Sequence, residues 1–164
     1  MAAVLLAPLL LACGGGSNLP SAPGCVDPTP TVTAASRRDE VFTYANALRE
    51  GVERLEALTD DFGLRWPGRR FSRAPEFRQE FVAYAGESAC LAKHLIAFDP
   101  PGGEALIRLD EEFEAALEQY LAVLERGRTA VQKRNVSQYR DFRREIDSAH
   151  RQLEERLVAL RAVV

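Results

Sequence analysis

The chain has 164 residues, 46% of them hydrophobic, and a formal net charge of −3. That apolar content can fill a core, which excludes wholesale disorder, and the mild negative balance removes the electrostatic case for a nucleic-acid binder. The first segment, residues 1–12, contains an uncharged apolar run from Ala2 to Ala12. It has the length of a secretory h-region and falls far short of the ~20 residues that span a bilayer. It ends in Leu10-Leu11-Ala12-Cys13, followed by Gly14-Gly15-Gly16.

These residues resemble a bacterial lipoprotein signal peptide, which is cut before a cysteine that has first been diacylated. The resemblance implies removal of residues 1–12, lipidation of Cys13, and an extracytoplasmic domain held to a bacterial membrane, in the periplasm or at the cell surface. Its acyl chains would contribute about 0.8 kcal/mol per buried methylene, and more than one chain is needed for firm anchoring. No Lys or Arg precedes the apolar run, which points to a start codon further upstream.

Residues 13–35 are Gly, Ser, Pro and Thr with hardly any apolar clusters, a composition that reads as a disordered, flexible linker. Cys25 in this stretch and Cys90 form an even pair once Cys13 is assigned to the anchor. In an oxidising compartment they are expected to form a disulfide.

Helical periodicity begins after Ala35, with Ser36 as N-cap and Asp39 and Glu40 in an acidic first turn. Val41, Ala45, Leu48, Val52, Leu55, Leu58 and Phe62 then recur at three and four, and Gly63 is placed to end the helix. Pro75 suits a first helical position, and Phe77, Phe81, Tyr84, Ser88, Leu91, Leu95 and Phe98 repeat the pattern. Asp99-Pro100-Pro101-Gly102-Gly103 is a break. Leu106, Leu109, Phe113, Leu117, Tyr120, Leu124 and Val131 make a third stripe, and Tyr139, Phe142, Ile146, Ala149, Leu153, Leu157 and Leu160 a fourth. Between these two, Lys133-Arg134-Asn135 offers a basic helix end and a residue that tolerates left-handed geometry.

The expected fold is all-α. Residues 36–164 should form an antiparallel up-down-up-down four-helix bundle, with helices at about 37–62, 75–98, 104–133 and 136–162. A dimerising αα-hairpin pair is the competing architecture. In an up-down bundle Cys25 and Cys90 come to the same end, so their bond would staple the linker to the bundle.

The most unusual stretch is the loop Leu64 to Arg73, with Arg65, Trp66, Arg69, Arg70 and Arg73. Arginine forks suit phosphate or carboxylate, and an aromatic face can hold a sugar. One reading is therefore a contact for an anionic small molecule or glycan. The other has Trp66 and Phe71 plugging the end of the core, with the arginines solvated, or paired with helix-terminal carbonyls and Asp60 or Asp61.

The chemistry-bearing residues are otherwise sparse. His94 and His150 are the two histidines, and they lack the paired Glu-x-x-His spacing of a carboxylate-bridged metal bundle. They read as boundary residues hydrogen-bonded at helix surfaces, so no metal or other cofactor is expected. No Gly-x-Ser-x-Gly elbow occurs, and no catalytic residue is assigned. The acidic run Asp110, Glu111, Glu112, Glu114 and Glu118 reads as a solvated outer face.

The anchor, linker and Pro-Pro-initiated helical hairpin together resemble small helical lipoproteins of bacterial envelopes, a resemblance that carries no activity with it. The leading expectation is a non-catalytic module that binds or scaffolds an envelope protein or a cell-wall component. The alternative is a ligand-binding or sensing domain that uses the Arg/Trp loop.

Overall fold

A computed structural model describes residues 37–67 and 70–162 of the chain. The signal segment, the linker, Ser36, Cys13, Cys25 and Arg69 lie outside the described residues. The described part is an all-α four-helix bundle: α1 (Arg37–Arg65), α2 (Pro75–Ile96), α3 (Glu104–Gln132) and α4 (Val136–Arg161). Helix α1 packs on α2 and α4, and α3 packs on the same two, so each helix has two neighbours and four apolar stripes share one core.

Residue contacts show which ends meet. Phe62, near the end of α1, lies against Phe77 and Phe81 at the start of α2. Tyr44, near the start of α1, stacks on Phe98 just past α2 and donates a hydrogen bond to Asp110 near the start of α3. Helices α3 and α4 are clamped twice across their outer faces, by Arg126–Glu145 at 2.7 Å and Arg156–Glu112 at 2.7 Å. Exposed pairs of this kind contribute little each, and the stripes between them hold the helices together.

The stripes bury as their spacing requires, with Leu48, Leu55, Phe77, Phe81, Phe113, Leu117, Ile146, Leu153 and Leu160 essentially solvent-free. One end of the core is aromatic: Phe62, Phe71, Phe77, Phe81, Tyr84, Tyr139 and Phe142 touch one another in mostly tilted or edge-on pairs. Such geometry sets the positive edge of one ring against the negative face of the next, beyond the gain from burial alone.

Two local expectations are corrected. Gly63 does not end α1, which runs on to Arg65. The amide of Trp66 bonds the Phe62 carbonyl, and Arg65 and Trp66 both reach Glu80 on α2, which offsets the ~1 kcal/mol cost of a helical glycine. In the α3–α4 turn the left-handed residue is Arg134 (φ 54°) rather than Asn135, which instead caps α4 by accepting from the Gln138 amide.

Gly127 is required by close approach. A Cβ there would lie 2.5 Å from Cδ2 of Phe142, a ring already held by Phe81 and Tyr139. Gly127→Ala should therefore destabilise the bundle by about 1–3 kcal/mol despite alanine's better helix propensity, read as a lower urea midpoint with unchanged helicity.

Candidate functional site

Three polar constellations stand out, one buried, one partly exposed and one an open cleft. The first is a buried layer to which every helix contributes: Thr59 from α1, Tyr84 and Ser88 from α2, Tyr120 from α3 and His150 from α4. The Thr59 hydroxyl meets the Leu55 carbonyl at 3.1 Å, the Tyr84 hydroxyl at 3.1 Å and Nε2 of His150 at 3.0 Å. A hydroxyl has one hydrogen and two lone pairs. The carbonyl can only accept, so Thr59 donates to it and must accept from both Tyr84 and His150. His150 therefore carries its proton on Nε2. The Tyr120 ring stands edge-on to this imidazole at 5.1 Å. Burial pushes the Tyr120 hydroxyl's pKa up, and the nearby hydroxyls of Ser88, Thr59 and Tyr84 partly offset that push.

His150 is thus a core residue rather than the surface histidine its isolated position in the sequence suggested. His94 is half-buried on α2, and no group of three metal-ligating side chains occurs among the described residues. The layer acts as a register pin. Thr59→Val keeps the shape but strands two buried donors, and should cost about 1–3 kcal/mol. Thr59→Ser, which keeps the hydroxyl, should cost less in the same urea titration.

The second constellation is acidic. Asp110 is 5% exposed and takes its hydrogen bond from Tyr44. Burial raises its pKa, Asp99 and Glu111 raise it further, and the Tyr44 bond opposes them. Glu114 is also raised, by burial first and then by Asp110, Glu118, Asp99 and Glu111. The expected solvated face is corrected at Asp110, which occupies a core position. Carboxyls with raised folded pKa hold more protons in the native state than in the unfolded chain. Their contribution is full below the ordinary carboxylate range and is lost as pH rises through the folded values. Stability should therefore fall as pH climbs from about 4 towards 7, and Asp110→Asn should flatten that slope in urea midpoints.

The third is a cleft of about 690 Å³ at the other end of the bundle, between the start of α2 and the end of α3. Its floor is apolar: Phe71, Ala74, Pro75, Phe77, Val82 and Val131. Arg73, Arg78 and Arg134 stand at its walls, and among the described residues no carboxylate lines it. None of these three exposed arginines makes an ion pair among the described residues. The first turn of α2 adds the positive end of a helix dipole, with Pro75 at its first position.

The loop singled out in the sequence is divided by the fold. Trp66 lies edge-on to Phe77 at 5.1 Å and donates to Glu80 at 2.9 Å, so it plugs the core. Phe71 packs on Phe77 and Tyr139 while also bordering the cleft. Arg65 is paired with Glu80 at 3.7 Å, and Arg70 is exposed outside the cleft lining. Of the described residues expected to bind a ligand, only Arg73 reaches the cleft. Arg78 and Arg134 were missed. Their signal was Arg78 standing three residues after Pro75, on the same helix face.

Cys90 is half-buried on α2, and its expected partner Cys25 lies outside the described residues. Among the described residues no helix is long and apolar enough to cross a membrane. No family model, curated protein or solved structure matches the chain.

Proposed function

We propose that this chain is a lipid-anchored, extracytoplasmic helical module that binds an anionic ligand without transforming it. The observation that carries the reading is the cleft at the α2–α3 seam, where Arg73, Arg78 and Arg134 surround an apolar floor without a compensating carboxylate. Guanidinium groups lining one cleft can bind a carboxylate or phosphate through charge-assisted hydrogen bonds. The anchor rests on Leu10-Leu11-Ala12-Cys13, with residues 13–35 as tether and a Cys25–Cys90 bond fastening that tether to α2. Binding rather than catalysis is the reading favoured by a lining of guanidinium groups and apolar side chains.

Two measurements test this. The denatured mass of the chain taken from its own envelope should begin at Cys13, carry acyl groups and be two hydrogens light; an unprocessed, unacylated mass would overturn the anchor. Inorganic phosphate held well above its Kd, at constant ionic strength, should raise Tm by about 3–6 °C. In a variant combining Arg78→Ala with Arg134→Ala that rise should vanish. An equal rise in both proteins would remove the cleft from the reading.

A further inference from the structure

The cleft holds more information than its charge. A site for a small inorganic anion gains nothing from an apolar lining. Here the arginines come from three separate stretches of chain: the loop before α2, the first turn of α2, and the left-handed turn after α3. Between them lie Phe71, Ala74, Pro75 and Val82, which are not fully buried, over Phe77 and Val131, which are. The volume, about 690 Å³, lies in the range of sites that take organic molecules rather than ions.

We infer that the ligand is an amphiphilic anion, with one phosphate or carboxylate head and a single aliphatic tail. The inference rests on the anion-binding reading and names the class of anion. The head sits among Arg73, Arg78 and Arg134, where the α2 dipole also favours negative charge. The tail lies along the seam towards Val82 and Val131, one on each of the two helices that meet there. Water leaving that floor supplies the affinity, and the arginines supply the orientation. Gln79 also lines the cleft, and its side-chain amide can donate to a head-group oxygen without adding charge.

The occupant is a monomeric amphiphile rather than a membrane surface. A bilayer presents head groups outward and keeps its tails in the lipid, so it would meet the arginines and leave the floor beneath them uncovered. A free single-tailed molecule covers both at once. Left-handed backbone at Arg134 contributes here, because it turns the chain sharply at the end of α3 and sets that arginine beside the start of α2.

The test uses the full chain carrying Cys13→Ser, so that its own acyl groups cannot compete. Binding of dodecyl phosphate below its micellar concentration, inorganic phosphate and dodecyl maltoside is compared by calorimetry, with anionic phosphatidylglycerol vesicles as a fourth arm. The expected result is dodecyl phosphate at least about tenfold tighter than inorganic phosphate, because several methylenes leave water. Dodecyl maltoside should bind weakly or not at all. Val82→Ser should narrow the gap while leaving inorganic phosphate unchanged. Gln79→Glu, at an exposed position, should weaken both phosphates with the fold intact. Equal affinity for the two phosphates would overturn the amphiphile and leave the anion site standing. Absence of binding by either would overturn both readings. Dodecyl phosphate binding that survives Arg78→Ala with Arg134→Ala would reduce it to non-specific adsorption and overturn the assignment. Vesicle binding that is tighter than the monomer's and lost in the same double variant would reassign the cleft to a membrane surface.

Discussion

The Thr59 hydroxyl has one hydrogen to give, and the bundle's internal register follows from where it goes. Because the Leu55 carbonyl takes it, Tyr84 from α2 and His150 from α4 must both point donors at Thr59. Three helices are thereby fixed at one height, and Tyr120 of α3 closes the layer against the imidazole. Apolar contacts alone would tolerate sliding, since one leucine can replace another along a stripe. A layer of buried polar groups does not tolerate it, because any slip by a turn leaves donors without acceptors in a medium that solvates neither. What this layer fixes is then amplified by the aromatic cluster on one side of it and by the Tyr44–Asp110 bond on the other.

This arrangement separates the two ends chemically. Towards the start of α1 and α3 the molecule carries Asp110 and Glu114, whose carboxyls are raised by burial first and then by neighbouring carboxylates. Towards the start of α2 and the end of α3 it carries Arg73, Arg78 and Arg134 without carboxylates among them. Opposite charges accompany both ends, such as Glu76 and Glu80 on α2 and the Arg156–Glu112 pair, and the protein as a whole bears −3. A net charge of −3 therefore says little about where charges cluster, and any attraction of an anion to the arginine cleft fades as salt shortens the Debye length.

The helices were legible because their apolar residues recur at three and four and because Pro67-Gly68, Pro75 and the Asp99–Gly103 segment interrupt them. Less legible were the residues that sit on an apolar stripe without being apolar. Asp110 falls between Leu106 and Phe113, Thr59 between Leu55 and Phe62, and His150 between Ile146 and Leu153. Each occupies a core position by spacing alone. Reading composition first assigns them to the surface; reading position first would have placed them inside. The end of α1 was misjudged for a different reason. Glycine lowers helix stability locally, but whether a helix stops depends on what the next turn can bond to, and Glu80 lies on another helix.

The cleft was only partly legible, and the reason is geometric. A run of arginines around two aromatics suggests a site because its members are neighbours in sequence. In the fold those neighbours scatter: Trp66 goes to the core, Arg65 to a carboxylate, and Arg73 to the cleft. The arginines that join Arg73 come from positions five and sixty-one residues further on. Trp66 and Phe71, both partly buried against Phe77, are spent on the plug rather than on a ligand. The loop can only offer those side chains that project sideways, and what completes the site must come from the helices it lies against. The plug and the cleft are complementary consequences of the same packing: Phe71 borders both, packing on Phe77 and forming part of the cleft floor.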